Sequence, residues 1–357
     1  MPNLTLSVLD QSPVRHGGTA AQALAETVTL AQAAEGFGYR RYWVAEHHNS
    51  AMFAGTAPEI LIGQIAAHTS SIHVGSGGVM LSHYSALKVA ETFRLLAAFY
   101  PGRIDLGIGR APGSDPRTAV ALAHPRPVAD IQQFPRQVAD LVGFLHDQLP
   151  QEHQFLGIEA QPGTVTGGLP EVWLLGSSDY SARLAASMGL PFAFADFFGT
   201  AGDYGPQITD LYRRQFQPSV DLPEPRCSVA VHVVCAETAE RAQYIAGSMR
   251  LLVARIRSGY PRQPLLSPED AAAQLTNPED RAMVERFTKH YIEGDPEIVH
   301  AALLAAAERY GTNDLFIATN CFAFADRRRS YELTAAACGL FRPQADMDAR
   351  ETATAEG

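Results

Sequence analysis

Residues 72–110, IHVGSGGVMLSHYSALKVAETFRLLAAFYPGRIDLGIGR, decide the fold. An apolar run from Ile72 to Met80 leads into LKVAETFRLLAAFYPG, which has helical apolar spacing and stops at Pro and Gly. A second apolar run follows from Arg103 to Arg110. Two almost wholly apolar strands joined by a helix form a βαβ unit, with parallel strands buried on both faces.

The same unit recurs in both directions. Strands are expected at Leu4 to Asp10, Tyr39 to Glu46, Ile72 to Met80 and Arg103 to Arg110. Four more are expected at Glu171 to Ser177, Pro191 to Phe198, Arg226 to Ala236 and Asp314 to Asn320, with helical patterns between them. Eight such units predict an α/β fold closed into a (β/α)8 TIM barrel. Two segments depart from the repeat. Ala111 to Phe134 reads as a long Pro-rich loop after the fourth strand, and 257–296 as a lid-like insertion after the seventh strand and its helix. Residues 1–342 are thus expected to form one domain, followed by a polar tail over 343–357.

Composition narrows the function. The chain has 357 residues, 46% hydrophobic and 18% charged, a globular profile with length enough for a large core. With 28 Lys plus Arg against 38 Asp plus Glu, the net charge of −10 disfavours nucleic acid as a partner. No apolar run approaches membrane-spanning length, and MPNLTLSVLDQSP has no signal-peptide pattern, so a cytoplasmic enzyme is expected. Cys227, Cys235, Cys321 and Cys338 lack metal-ligand or CxxC spacing and read as reduced core residues.

A barrel places its chemistry at the C-terminal ends of its strands. Those ends carry Asp10 and Gln11, then Glu46, His47 and His48, then Gly77 and Gly78, then Gly109 and Arg110, then Ser177 and Ser178, then Asp196 and Asn320. Gly77-Gly78 interrupts a strand, as a bulge or a closely approaching ligand would require. Phosphate needs positive charge and unpaired N–H groups. Arg110 ends a strand, Arg136 opens the helix PRQVADLVGFL, and Ser177, Ser178 and Ser181 surround a helix start. Plain N-capping would also explain the serines.

The runs LDQSPV, GYRRYWVAEHHN, GSGGVM, PGRIDLGIGRAPG, LLGSS, YIEGDPE and DLFIATN, in this order from about Leu4 to Leu340, resemble the bacterial luciferase-like, flavin-dependent monooxygenases. The resemblance implies a barrel that takes reduced FMN from a separate flavin reductase and uses O2 to oxidise a small organic substrate. It implies a non-prolyl cis peptide at Gly77-Gly78 and phosphate contacts from Arg110, Arg136, Ser177, Ser178 and Ser181. It further implies an active-site histidine pair at His47 and His48, the first in acid-base work, with no metal. Ser267 to His290 matches the family's mobile loop, and helices PEILIGQIAAH and LKVAETFRLLAAFY match its homodimer surface. Light-emitting members have a cysteine where this chain has Gly109, so luminescence is not expected.

Histidine suits proton transfer near neutral pH. If the strand continued, His47 and His48 would point to opposite faces, with Glu46 and His48 together. Rival readings are an F420-dependent oxidoreductase on the same barrel, a non-catalytic flavin-binding protein, and a metallohydrolase built on Glu46 and His48.

Overall fold

Residues 3–111, 113–163, 165–259 and 263–341 are described by the structure, a computed structural model; the expected tail over 343–357 lies outside them. Eight parallel strands close into a ring. In chain order they are β1 (Thr5–Asp10), β2 (Arg41–Val44), β3 (His73–Met80), β4 (Ile104–Gly109), β5 (Glu171–Gly176), β6 (Phe192–Ala195), β7 (Cys227–Cys235) and, past a short strand β8 (Ile292–Gly294) outside the ring, β9 (Asp314–Ala318). Each pairs with the next, β7 pairs with β9, and β9 returns to β1. This is the (β/α)8 barrel that the alternation predicts.

Sequence explains the local choices. Every residue of β4 and β7 is buried, as expected for strands covered inside and out. Helix α1 (Ala20–Gly36) starts with a capping box between Thr19 and Gln22. The covering helices continue with α2 (Pro58–Ala67), α3 (Ala86–Phe99), α4 (Pro116–Ala123), α5 (Phe134–Leu145), α6 (Asp179–Ser187), α7 (Gly205–Gln215) and α8 (Ala239–Arg257). After α9 (Pro268–Gln274) and α10 (Pro278–Phe287) come α11 (Pro296–Tyr310) and α12 (Phe324–Ala337). Helix α11 begins with the Asp295 side chain accepting from the Ile298 N–H at 3.0 Å and ends at Gly311, φ 62°.

Two expectations need correction. The segment from Ala111 to Phe134 is not a plain loop, because α4 lies inside it. Its start is the Asp115-Pro116 pair, with Asp115 accepting from the Arg117 and Thr118 N–H groups at 3.0 Å each. The sixth strand stops at Ala195 rather than Phe198, because the chain turns into a 3₁₀ helix over Asp196–Phe198. The insertion after β7 and α8 is present and largely helical. It packs through Leu265, Phe287 and Tyr291 against Met52, Phe53, Met249, Leu252 and Val253, and β8 pairs with the end of β7.

The barrel interior is filled by Leu9, Trp43, Trp173, Ala193, Ala230 and Phe316, with the two tryptophan rings edge to face at 5.4 Å. Charged groups close its N-terminal end. Asp105 accepts from Arg41 Nε at 3.1 Å and Trp43 Nε1 at 2.8 Å, and Glu171 from Arg41 Nη2 at 3.0 Å and Trp173 Nε1 at 2.6 Å. The C-terminal end is left for a ligand.

Near that end β1 is pinned to α12. Arg327 Nη2 donates to Asp10 Oδ1 at 2.5 Å and its Nε donates to the Thr319 carbonyl at 2.8 Å, while the Tyr42 hydroxyl donates to Asp10 Oδ2. Burial alone would raise the Asp10 pKa, but Arg327, Tyr42 and the Ser12 N–H outweigh it and hold the carboxyl low. All four cysteines are free, and burial raises Cys227, Cys235 and Cys321 to about 12.

Candidate functional site

A cavity of about 400 Å³ opens at the C-terminal end of the barrel, a volume suited to a cofactor or a small organic molecule. Its wall is chemically divided. One end carries Arg110, Ser177, Ser178 and Ser181; the rest is apolar, with Trp43, Leu175, Phe194, Phe197, Phe198 and Phe316 prominent.

Gly77 and Gly78 also line the cavity, and the peptide between them is cis. The β3–β4 register shifts between Gly77 and Val79, so the strand bulges here. Packing alone demands glycine at Gly78, where the obstacle is backbone, and disfavours a larger residue at Gly77. A Cβ at Gly77 would stand 2.6 Å from Leu9 Cδ1, and one at Gly78 would stand 2.8 Å from the Gly107 carbonyl oxygen. Gly109 is different: a Cβ there would meet nothing closer than Met80 Sδ at 3.5 Å.

The polar end is built by two strand-to-helix junctions. Arg110 follows β4, and its guanidinium lies 4.0 Å from the centre of the Tyr180 ring. No carboxylate pairs with it among the described residues. Ser178 is the N-cap residue of α6, yet its side chain makes no capping hydrogen bond, and Ser181 Oγ donates to the Ser178 carbonyl at 2.8 Å. Simple capping therefore does not account for Ser178. A cation, serine hydroxyls and the N–H groups of a helix start meet in one place, the combination that binds anions. Arg136 is exposed in the first turn of α5 and is not part of the wall, although Ile131, ahead of that helix, is.

His47 and His48 lie on the loop after β2, beside the cavity rather than in its wall. The His47 N–H donates to the Gly55 carbonyl at 2.8 Å, and its ring packs on Phe53 at 4.6 Å, against the seam with the insertion. His48 Nε2 pairs with Glu46 Oε1 at 2.7 Å. Glu46 is fully buried, and it also accepts from the Tyr84 hydroxyl and the Met80 N–H, each at 2.8 Å. This carboxylate ties the β2 end to the β3 bulge. Burial, then Glu46, raises the Tyr84 pKa, keeping that hydroxyl a donor.

Several residues of the expected polar ring serve one another. Asp10 is engaged by Arg327 and Tyr42, and Gln11 by Asn320, whose Nδ2 donates at 2.7 Å. Asp196 is buried, and burial raises its pKa. The aromatic wall of Phe197, Phe198 and Phe316 was not singled out by sequence reasoning. Only Phe316, inside β9, had a signal, the inward alternation of its strand; Phe197 and Phe198 lie in the 3₁₀ turn after β6. Among the described residues no group of three or more His, Cys, Asp and Glu is placed to hold a metal ion, and no helix is long and apolar enough to cross a membrane.

Fold and cavity define a barrel with one polar, arginine- and serine-bearing end and one apolar end at its C-terminal mouth. Residues 4–313 match the luciferase-like monooxygenase family, and the chain belongs to it. It is 39% identical over 330 residues to a luciferase-like monooxygenase of Escherichia coli (strain K12), covering 92% of this chain and 96% of that one. It is 37% identical over 332 residues to the N-acetyl-S-alkylcysteine monooxygenase of Bacillus subtilis (strain 168), covering 92% and 97%. Among solved structures, apo-MsnO8 superposes with a TM-score of 0.86 at 39% identity, over 96% of this chain and all of that one. Two structures share the fold at lower identity. The oxygenating constituent of 3,6-diketocamphane monooxygenase in complex with FMN has a TM-score of 0.68 at 18% identity, covering 93% of this chain and 97% of that one. An F420-dependent secondary alcohol dehydrogenase has 0.66 at 12%, covering 96% and 100%.

Proposed function

We propose that this enzyme takes reduced FMN from a separate flavin reductase and uses it with O2 to oxygenate a small organic substrate. One observation carries the reading: a single cavity joins an arginine with no carboxylate partner among the described residues and a serine-rich helix start to an apolar chamber lined also by Gly77-Gly78. The residues present fit FMN. Arg110, the Ser177 and Ser178 hydroxyls and the α6 N–H groups would hold the phosphate, and the apolar remainder suits a flat ring system. When bound, reduced FMN supplies the electrons for dioxygen chemistry.

The protein's own part is to bind, to exclude water and to move protons. Phe194, Phe197, Phe198 and Phe316 keep the chamber dry, and the insertion covers the loop that carries His47. His47 is the proton carrier of the histidine pair, since His48 is committed to Glu46. No nicotinamide motif occurs in the sequence, which is why electrons come from another protein. The working form is a cytoplasmic homodimer joined through α2 and α3, whose outer faces expose Ile60, Leu95 and Phe99.

Titration of the purified protein with FMN, riboflavin and F420, followed by flavin fluorescence, tests the reading. Binding of FMN well ahead of riboflavin supports it. Preference for F420 would replace it with hydride transfer.

A further inference from the structure

His232 lies near the end of β7 with 1% of its surface exposed, and neither ring nitrogen has a hydrogen-bond partner among the described residues. Buried imidazole nitrogens are ordinarily satisfied, so such a pair calls for an explanation. Alternation along β7 puts Ser228, Ala230 and His232 on the barrel-facing side. Ala230, two residues earlier on that face, lines the cavity.

The cover over His232 belongs to the insertion. Val233 pairs with Ile292 in the β7–β8 ladder, which brings Tyr291 opposite His232, and the two rings stack at 4.2 Å and 19°. The Tyr291 hydroxyl donates to the Phe197 carbonyl at 3.0 Å, and Phe197 is itself part of the cavity wall. His232 is not itself in the wall; it sits behind it, two residues on from the lining residue Ala230 and under Tyr291, which is tied to the lining residue Phe197. Neither of its ring nitrogens is used by the fold among the described residues.

We propose that His232 is the polar contact which the apolar end offers the organic substrate, and that it selects a neutral oxygen-bearing group, a carbonyl or hydroxyl, over a carboxylate. This rests on the oxygenase reading above. The charge preference follows from the surroundings. Burial, and then the positive charge of Arg250, hold the imidazole neutral, with its pKa lowered to about 3. Arg250 cannot serve an anion in its place, because its Nε donates to Glu293 Oε1 at 3.1 Å and its Nη2 to Glu293 Oε2. A neutral imidazole offers one N–H and one lone pair, which match a ketone, aldehyde or alcohol and leave a carboxylate without compensation for its lost hydration.

The probes are 2-octanone, 1-octanol and octanoate, titrated calorimetrically into the unaltered protein, His232→Asn and His232→Phe, each with and without FMN. Expected is binding of octanone and octanol, weakened about tenfold in His232→Phe and partly restored in His232→Asn, as for one hydrogen bond. Octanoate should bind at least tenfold more weakly than octanone to the unaltered protein, and FMN affinity should stay within about twofold across the three proteins. In ¹⁵N-histidine spectra of the unaltered protein, octanone should shift the His232 ring resonances, a readout that does not require either variant to fold. Equal octanone affinity in all three proteins, octanoate binding as tight as octanone, unmoved His232 resonances, or no octanone binding at all would each overturn the proposal. Failure of FMN to bind would tell against the flavin reading, while the octanone comparison without FMN still decides the role of His232.

Discussion

Glu46 and Met80 are joined by a 2.8 Å hydrogen bond from the Met80 backbone N–H to Glu46 Oε2, while Glu46 Oε1 holds His48 Nε2 at 2.7 Å. One buried carboxylate thus aligns the histidine loop with the strand that carries Gly77-Gly78. Glu46→Ala removes the acceptor for His48, Tyr84 and the Met80 N–H together. Loss of roughly 3 kcal/mol of stability is expected in urea unfolding, since buried donors are left unpaired. A loss below about 1 kcal/mol would show that this junction is held by packing instead.

The two histidines should separate kinetically. His47→Ala is expected to slow air reoxidation of bound reduced FMN, followed by rapid mixing, by on the order of 10²-fold with flavin affinity little changed. His48→Ala should be milder, because Glu46 keeps two of its three donors. The opposite ranking would make His48 the proton carrier.

Arg110 is the cation of the cavity's polar end. Arg110→Ala should weaken FMN by about 10 to 200-fold, the range of a charge-assisted hydrogen bond, and barely affect riboflavin, which lacks the phosphate. Equal weakening of both ligands, measured as dissociation constants, would remove Arg110 from the phosphate site.

His232 gives acid sensitivity a predictable sign. Its imidazole titrates near 6.5 in the unfolded chain and is lowered to about 3 in the fold. Between those values the unfolded chain binds the extra proton, so stability falls as pH drops below 6.5, by about 1.4 kcal/mol per pH unit. The unaltered protein should therefore lose about 3 kcal/mol more than His232→Leu between pH 6.5 and 4, in paired denaturant titrations. Parallel curves would mean that the ring is charged or hydrated in the fold.

The α2 and α3 faces expose Ile60, Leu95 and Phe99 to 66%, 49% and 68%, more than an isolated surface needs. Replacing Ile60 and Phe99 together by Glu should convert a dimer to a monomer in sedimentation velocity, with the barrel still folded. An unchanged sedimentation coefficient would place the interface elsewhere.

The barrel was legible because its strands are short apolar runs between capped helices, and each of the eight expected spans contains the observed strand. That Arg110 and the serines would meet at one cavity was legible too, since they sit where strands hand over to helices. What failed was side-chain direction beyond the strands. FADFF reads as continuing strand, but the turn at Asp196 changes which residues face inward and puts Phe197 and Phe198 in the wall. Asp10 and Asn320 could be placed only as members of a polar ring, because their partners, Arg327 and Gln11, are 317 and 309 residues away in sequence. His232 was hidden in an otherwise apolar strand, where nothing in the local pattern marks an unsatisfied ring.

The insertion leaves the barrel through α8, directly after β7, and comes back as β8 in register with the last residues of β7. Departure and return are thus anchored to one strand, and the remaining seven keep their neighbours whatever lies between. The excursion over 258–291 is a cassette on a single stave. Exchange of that cassette between related barrels would transplant the cover, Tyr291 included, while the polar end with Arg110 and the serines, built from β4, β5 and α6, stays with the host. On the proposed function, selectivity for the organic molecule and affinity for the cofactor would in this way be separately heritable parts of one chain.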